Sequence, residues 1–182
     1  MGALKEVWRN PHLDTYSKYL LFHAIPLNLL LWGCETWSLR QDLLRRLEDI
    51  RRILHISIIQ VQEEHVRSDK VRRLFYDIPC IINMIAARQL GFLGKVVRSP
   101  HDTPARRMLT ACCQHKRKCG CPYLHNKDVI VGNLRLLFAR IPEVVIDDYG
   151  SVKDWFKEAS HESYWTALVR CLLLCPKSFR NF

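Results

Sequence analysis

The chain has 182 residues, with 28 Lys and Arg against 18 Asp and Glu, a formal charge of +10 and a pI near 9.4. Hydrophobic residues make up 48% of it, enough to bury a core in one domain or two small ones, and this excludes general disorder. The cationic surplus directs attention to polyanionic partners such as nucleic acid or an acidic membrane surface.

The opening MGALKEVWRNPHLD is charged and has no continuous apolar run, so no secretory signal is expected. An intracellular location, nucleus or cytoplasm, follows, and with it reduced thiols for the eight cysteines. Asp14 or Thr15 caps a predicted helix through Ile25, and Pro26 breaks or kinks it before a second apolar turn to Trp32. The apolar run Leu20–Trp32 carries His23, Pro26 and Asn28 and is shorter than the ~20 residues a membrane span needs, so it reads as core and no membrane partner is expected. Gly33 ends this helix, and Trp32 and Trp37 are expected as core wedges at a corner where Glu35 serves the next helix start.

Ser38 with Gln41 is a capping box. Behind it Leu39, Leu43, Leu47, Ile50 and Leu54 form one apolar stripe of an amphipathic helix, with Arg40, Arg45, Arg46, Arg51 and Arg52 between them. HISIIQ, 55–60, is β-prone and reads as a connector; SDKVRRLFYDIP then predicts a short helix from Ser68 stopped by Pro79. Ile82, Ile85, Ala86, Leu90, Leu93 and Val97 make the inward face of the following helix. Gly91 and Gly94 weaken that helix and predict an element packed close against them.

Pro100 and Pro104 bracket a turn before ARRMLTACC. QHKRKCGCPYLHN lacks hydrophobic period and reads as a loop. Asn126 caps a helix carrying Ile130, Leu134, Leu137 and Phe138, IPEVVIDDYGS is a loop, and Ser151 opens a short helix. The last helix, from about His161, holds Trp165, Leu168, Val169, Leu172 and Leu173. The sum is an all-α fold, an irregular array of about seven short helices. Three regions are expected: 1–110, a basic Cys-rich loop at 111–125, and a smaller helical extension at 126–182.

From Lys95 to Lys118, seven Lys or Arg face one acid, Asp102, so 24 residues carry +6. A solvated helix face alternates signs, whereas this segment does not, and it suits phosphate contacts. The expected contacts are Arg98, Arg106, Arg107, Lys116, Arg117 and Lys118, followed by Arg51, Arg52, Arg72 and Arg73, which have acids among them. Cys112, Cys113, His115, Cys119, Cys121 and His125 crowd the same loop. Their adjacent and one-apart spacings suit tetrahedral zinc poorly, so no metal site and no cofactor is expected. Asp147 and Asp148 lack a third carboxylate, Glu35 lacks any partner at helical spacing, and no catalytic residue is assigned.

Several motifs in order resemble the region downstream of the catalytic domain in LINE-type, non-LTR retrotransposon reverse transcriptases. They are Trp32-Gly33-Cys34-Glu35-Thr36-Trp37, RRILHI from Arg51, SDKVRR, then Arg88, Leu90, Phe92, Leu93 and Gly94, and the basic run into Cys119-Gly120-Cys121-Pro122. A terminal helix around Trp165 follows. Lys95 stands where the family has His, and Cys121 where it has Arg. The resemblance implies a polymerase thumb followed by a nucleic-acid-binding extension, without the palm and its Tyr/Phe-Ala-Asp-Asp carboxylates. A truncated, non-catalytic copy with weak, backbone-mediated RNA or DNA binding is therefore expected, and apolar surface normally covered by the palm implies self-association. The alternatives are a helical protein-interaction module displaying Trp8, Trp155 and Trp165, or a zinc-containing nucleic-acid-binding module.

Overall fold

The structure, a computed structural model, describes residues 4–59, 79–110, 126–139 and 152–174. Every regular element among them is helical and none is a strand, so the fold is all-α. The chain divides into two compact units, Met1–Cys34 with Arg40–Ile82 and Cys175–Phe182, and Glu35–Leu39 with Asn83–Leu174. The helices on either side of the basic Cys-rich loop, Pro104–Thr110 and Asn126–Phe138, belong to the same unit.

In the first unit a short helix α1, Lys5–Arg9, buries Trp8 and packs on α4. Asp14 caps α2, Thr15–Phe22, its carboxylate accepting the Ser17 amide at 3.2 Å. Pro26 does not break the helix that follows. The backbone widens into a π-turn over His23–Leu27 and runs on as α3, Asn28–Leu30. Proline removes one N–H and crowds the carbonyl four residues back, and a wider turn relieves both. Asn28 Nδ2 supports the turn by donating to the Ala24 carbonyl at 3.2 Å. Gly33, at φ +71°, ends the helix in the left-handed region, as its position after the apolar run predicts.

A short 3₁₀ turn, Cys34–Thr36, leads to α4, Gln41–Ile59. The capping box at Ser38 is not used. The Arg40 carbonyl instead accepts the Leu43 and Leu44 amides, both at 3.1 Å. The β-prone HISII continues α4 to Ile59, because extending an established helix adds a bond per residue and outweighs weak strand preference. The apolar stripe expected to face inward does so only in part: Leu39, Leu47 and Leu54 are half-buried and Leu43 and Ile50 exposed, while Arg51 and His55 are fully buried.

The second unit is organised around α5, Ile81–Arg98. Ile85, Ala86, Leu90, Leu93 and Val97 are buried as their spacing predicts, and Ile82 is half-buried. Helix α6 is Pro104–Thr110, α7 Asn126–Phe138, α8 Val152–Ser160 and α9 Glu162–Cys171. Leu134 and Leu137 of α7, Ala159 of α8, and Trp165, Leu168, Val169 and Leu172 close the core over α5. The Trp165 indole, 1% exposed, lies against Gly94 and donates to the Leu90 carbonyl at 2.8 Å. A Cβ at Gly94 would stand 2.5 Å from the indole Cδ1 and Nε1, so glycine is what lets the ring sit on the helix. Among the described residues the close neighbour expected for both glycines is found at Gly94; a Cβ at Gly91 meets none of them within 4 Å.

Buried amides finish the unit. Asn133 Nδ2 donates to Gln89 Oε1 at 2.6 Å, and Gln89 Nε2 donates to the Trp37 carbonyl at 2.8 Å. This chain ties the 35–39 segment to α5 and α7 without leaving either amide stranded in the core. Trp37 is half-buried, as a corner residue should be, but Trp32 is 81% exposed and is no core wedge. No helix among the described residues is long and apolar enough to cross a membrane.

Candidate nucleic-acid interface

Five of the ten arginines and lysines expected to meet phosphate lie among the described residues. Arg72, Arg73, Lys116, Arg117 and Lys118 lie outside them, as do the Cys/His cluster of 112–125, the Asp147–Asp148 pair and the short helix expected from Ser68.

Arg98 ends α5 and is half-buried. Its Nη1 donates to the Ala159 carbonyl at 2.9 Å, taking up an acceptor in the last turn of α8, and its Nη2 stands 3.6 Å from Glu162 at the start of α9. Arg106, on α6, turns back over the 99–103 loop and donates from Nη1 to the Ser99 carbonyl. Ser99 Oγ in turn donates to the Val96 carbonyl at 2.6 Å. Each guanidinium carries five N–H donors in a planar fork, so one bond to a carbonyl orients it without exhausting it. Lys95 and Arg107 are exposed beside this corner, and Asp102 and His101 are exposed in the loop. The structure therefore gathers Lys95, Arg98, Arg106 and Arg107 along the end of α5 and the start of α6, within one unit.

Arg51 is a different case. It is 2% exposed, its Nε donates to Glu48 Oε2 at 3.1 Å, and its Nη2 is paired with Glu48 Oε1. Its Nη1 is buried with no hydrogen-bond partner among the described residues. Glu48 Oε2 also accepts the Ile81 amide at 2.9 Å, placing a carboxylate at the first turn of α5, where negative charge is favoured. Arg51 is thus an interior ion-pair partner. It cannot reach a phosphate in this fold, and its place in the expected set is corrected. Helical spacing alone misassigned it, because a buried face was inferred from the leucines and the arginine at the turn between them was counted as solvent-facing. Arg52, next along α4, is half-buried.

His55 lies one turn beyond Arg51 and packs edge-on against Phe22, with ring centroids 4.4 Å apart. Burial, with a smaller contribution from the Arg51 charge, pushes its pKa down from 6.5 to about 3. It is therefore a neutral core residue at physiological pH and adds nothing to the cationic surface.

Trp8 and Trp165 are both buried, so the expectation that these two face a partner is corrected; the Trp155 side chain lies outside the described residues. Among the described residues no group of three or more His, Cys, Asp or Glu gathers as a metal site.

Arg88, Phe92 and Lys95, which the sequence offers only as parts of a family motif, share one side of α5, with Phe92 and Lys95 exposed and Arg88 half-buried. The signal was present in the spacing, since removing the inward face of α5 leaves these residues on the opposite stripe. Comparison with protein-family models, with curated proteins and with solved structures finds no match for the chain.

Proposed function

We propose that this chain binds RNA or DNA through its phosphate backbone, without sequence preference and without catalysis. The observation that carries the reading is the segment Lys95–Lys118, where seven cations face one acid. Exposed Lys95 and Arg107 and the oriented guanidinium of Arg106 lie in its described part. Each Lys or Arg that meets a phosphate releases counterions, so the binding is salt-sensitive. Lys116, Arg117 and Lys118 belong to the interface, with Arg72, Arg73 and Arg52 as peripheral contributors; Arg51 does not. The motif order supports a relationship to the thumb and post-polymerase region of LINE-type reverse transcriptases.

A titration of the protein with single-stranded, duplex and hybrid nucleic acid at low salt tests the reading. Binding to at least one of them that disappears when Lys116, Arg117 and Lys118 are changed to Glu is the expected result. Retention of full affinity by that variant would contradict it.

The proposal extends to self-association, for a separate reason. Leu29 and Trp32, beside the helix end at Gly33, are 69% and 81% exposed, and Leu43, Ile50 and Ile53 of the same unit are exposed too. Trp32→Lys should shift the protein toward monomer in sedimentation velocity; an unchanged distribution would remove this part of the reading.

A further inference from the structure

Helix α5 contains no acidic residue. From Gln89 to Val97 its inward side is continuous, with Gln89, Leu90, Leu93, Gly94, Val96 and Val97 all buried. What remains on the other side is a single stripe in which Phe92 and Lys95 are exposed and Gly91 and Arg88 half-buried, the Arg88 side chain also meeting a partner within the chain. These positions are three, four and seven residues apart, so they lie one above the next on one face.

Two members of the stripe are unexplained by packing. Phe92 is 41% exposed, leaving much of an aromatic ring in water. Gly91 sits in a helix interior, where glycine is unfavourable relative to alanine, yet a Cβ there meets nothing within 4 Å. The contrast with Gly94, which the Trp165 ring requires, is internal to the same helix. A glycine that no atom of the described residues demands leaves backbone uncovered by a side chain beside an exposed ring, and close approach of a flat ligand is what such backbone permits. The cations stand on either side: Arg88 and Lys95 are separated by about 10 Å along the helix axis, with the ring and the glycine between them.

We propose that Arg88, Gly91, Phe92 and Lys95 form a stacking platform for one unpaired nucleobase, with the two cations meeting the phosphates that flank it. The proposal rests on the nucleic-acid reading above and narrows its substrate to single-stranded RNA or DNA. Bases in a duplex are already stacked and paired and cannot lie on Phe92, whereas every unpaired base presents a π-face, so the platform selects strand state and not sequence. Arg88 and Lys95 add charge attraction to the stacked base and its backbone.

Fluorescence anisotropy with a labelled oligothymidine and a matched DNA duplex, on the full chain at low salt, tests this. Phe92→Ala should weaken oligothymidine binding roughly tenfold while leaving duplex binding nearly unchanged, and Phe92→Trp should retain the single-strand affinity. Gly91→Ala should raise the melting temperature, since it removes an unneeded helix glycine, and still weaken oligothymidine binding. Loss of affinity from a more stable protein cannot be unfolding. Oligothymidine affinity unchanged in both Phe92→Ala and Gly91→Ala overturns the platform and leaves the backbone-binding reading intact. An equal loss for both ligands in Phe92→Ala also overturns it, because the ring would then be structural. A wild-type protein that binds neither ligand removes both readings.

Discussion

Around α5 the indole of Trp165 is buried, its N–H satisfied by the Leu90 carbonyl, and the leucines and valines that helical spacing points inward are inward. Along α4, in the other unit, the leucines Leu44, Leu47 and Leu54 are only half-buried. Leu43, Ile50 and Ile53 lie outside, and the interior positions belong to Arg51 and His55, with Glu48 paired to the arginine. The two helices have similarly strong amphipathic sequences, so amphipathicity alone did not decide which face was buried. On α5 the neighbours supply apolar side chains and one complementary notch, and the apolar face wins. On α4 its own Glu48, which also accepts the Ile81 amide, and a ring from α2 make a polar interior possible. A buried ion pair of this kind is weak support for stability and strong support for one specific arrangement.

Substitutions can break this comparison from either side. The largest effect is expected at Trp165: replacement by Ala should cost ~3–5 kcal/mol in denaturant unfolding of the second unit. Gly94→Ala, which forces a methyl group into the indole, should cost about 1–3 kcal/mol. If either is tolerated without loss, the apolar closure of α5 is not what holds that unit. On α4, Glu48→Ala leaves the Arg51 charge buried and should cost about 2–3 kcal/mol, less than for a fully enclosed pair because Glu48 keeps some contact with water. Arg51→Met should be near neutral or stabilising, since a well-packed apolar side chain needs no partner. An equal, large loss from both would show that the arginine contributes more than its own burial costs.

Acid sharpens the same contrast. His55 takes up a proton near 6.5 in the unfolded chain and only at about 3 in the folded one. The unfolded state therefore binds more protons between those values, and stability from this residue is full above pH 6.5 and falls as pH drops through that window. Between pH 7 and pH 5 the first unit should lose about 2 kcal/mol through His55. His55→Leu should flatten that part of the profile, and an unaltered pH dependence would contradict the burial argument. The smallest stability effect is expected at Trp32, where Lys should change unfolding free energy by less than about 0.5 kcal/mol.

The helical class, the Asp14 cap, the Gly33 stop and the inward face of α5 were legible in the sequence. Each depends on local chemistry or on one helix repeat read against solvent. At Pro26 the sequence left a break or a kink open, because the π-turn that carries the helix through is decided by what surrounds it, here including the Asn28 amide. The burial of Arg51 on α4 was invisible, since nothing local distinguishes an arginine destined for Glu48 from one destined for water. For the interface, charge density was legible, but the separate fates of Arg51, Arg98 and Arg107 required knowing which carbonyls and carboxylates arrive from elsewhere in the chain. The outward stripe of α5 required knowing first that Gly94, and not Gly91, is occupied by a ring.

The central claim is that the concentrated cations of 95–118 meet phosphate. The salt dependence of binding measures the number of such contacts directly, because each contact to a single strand contributes about 0.7 to the slope of log affinity against log salt. Changing Arg107, Lys116, Arg117 and Lys118 together to Gln should lower that slope by roughly 3 while leaving the thermal transition in place. A slope equal to that of the unmodified protein, with affinity retained, would contradict the account.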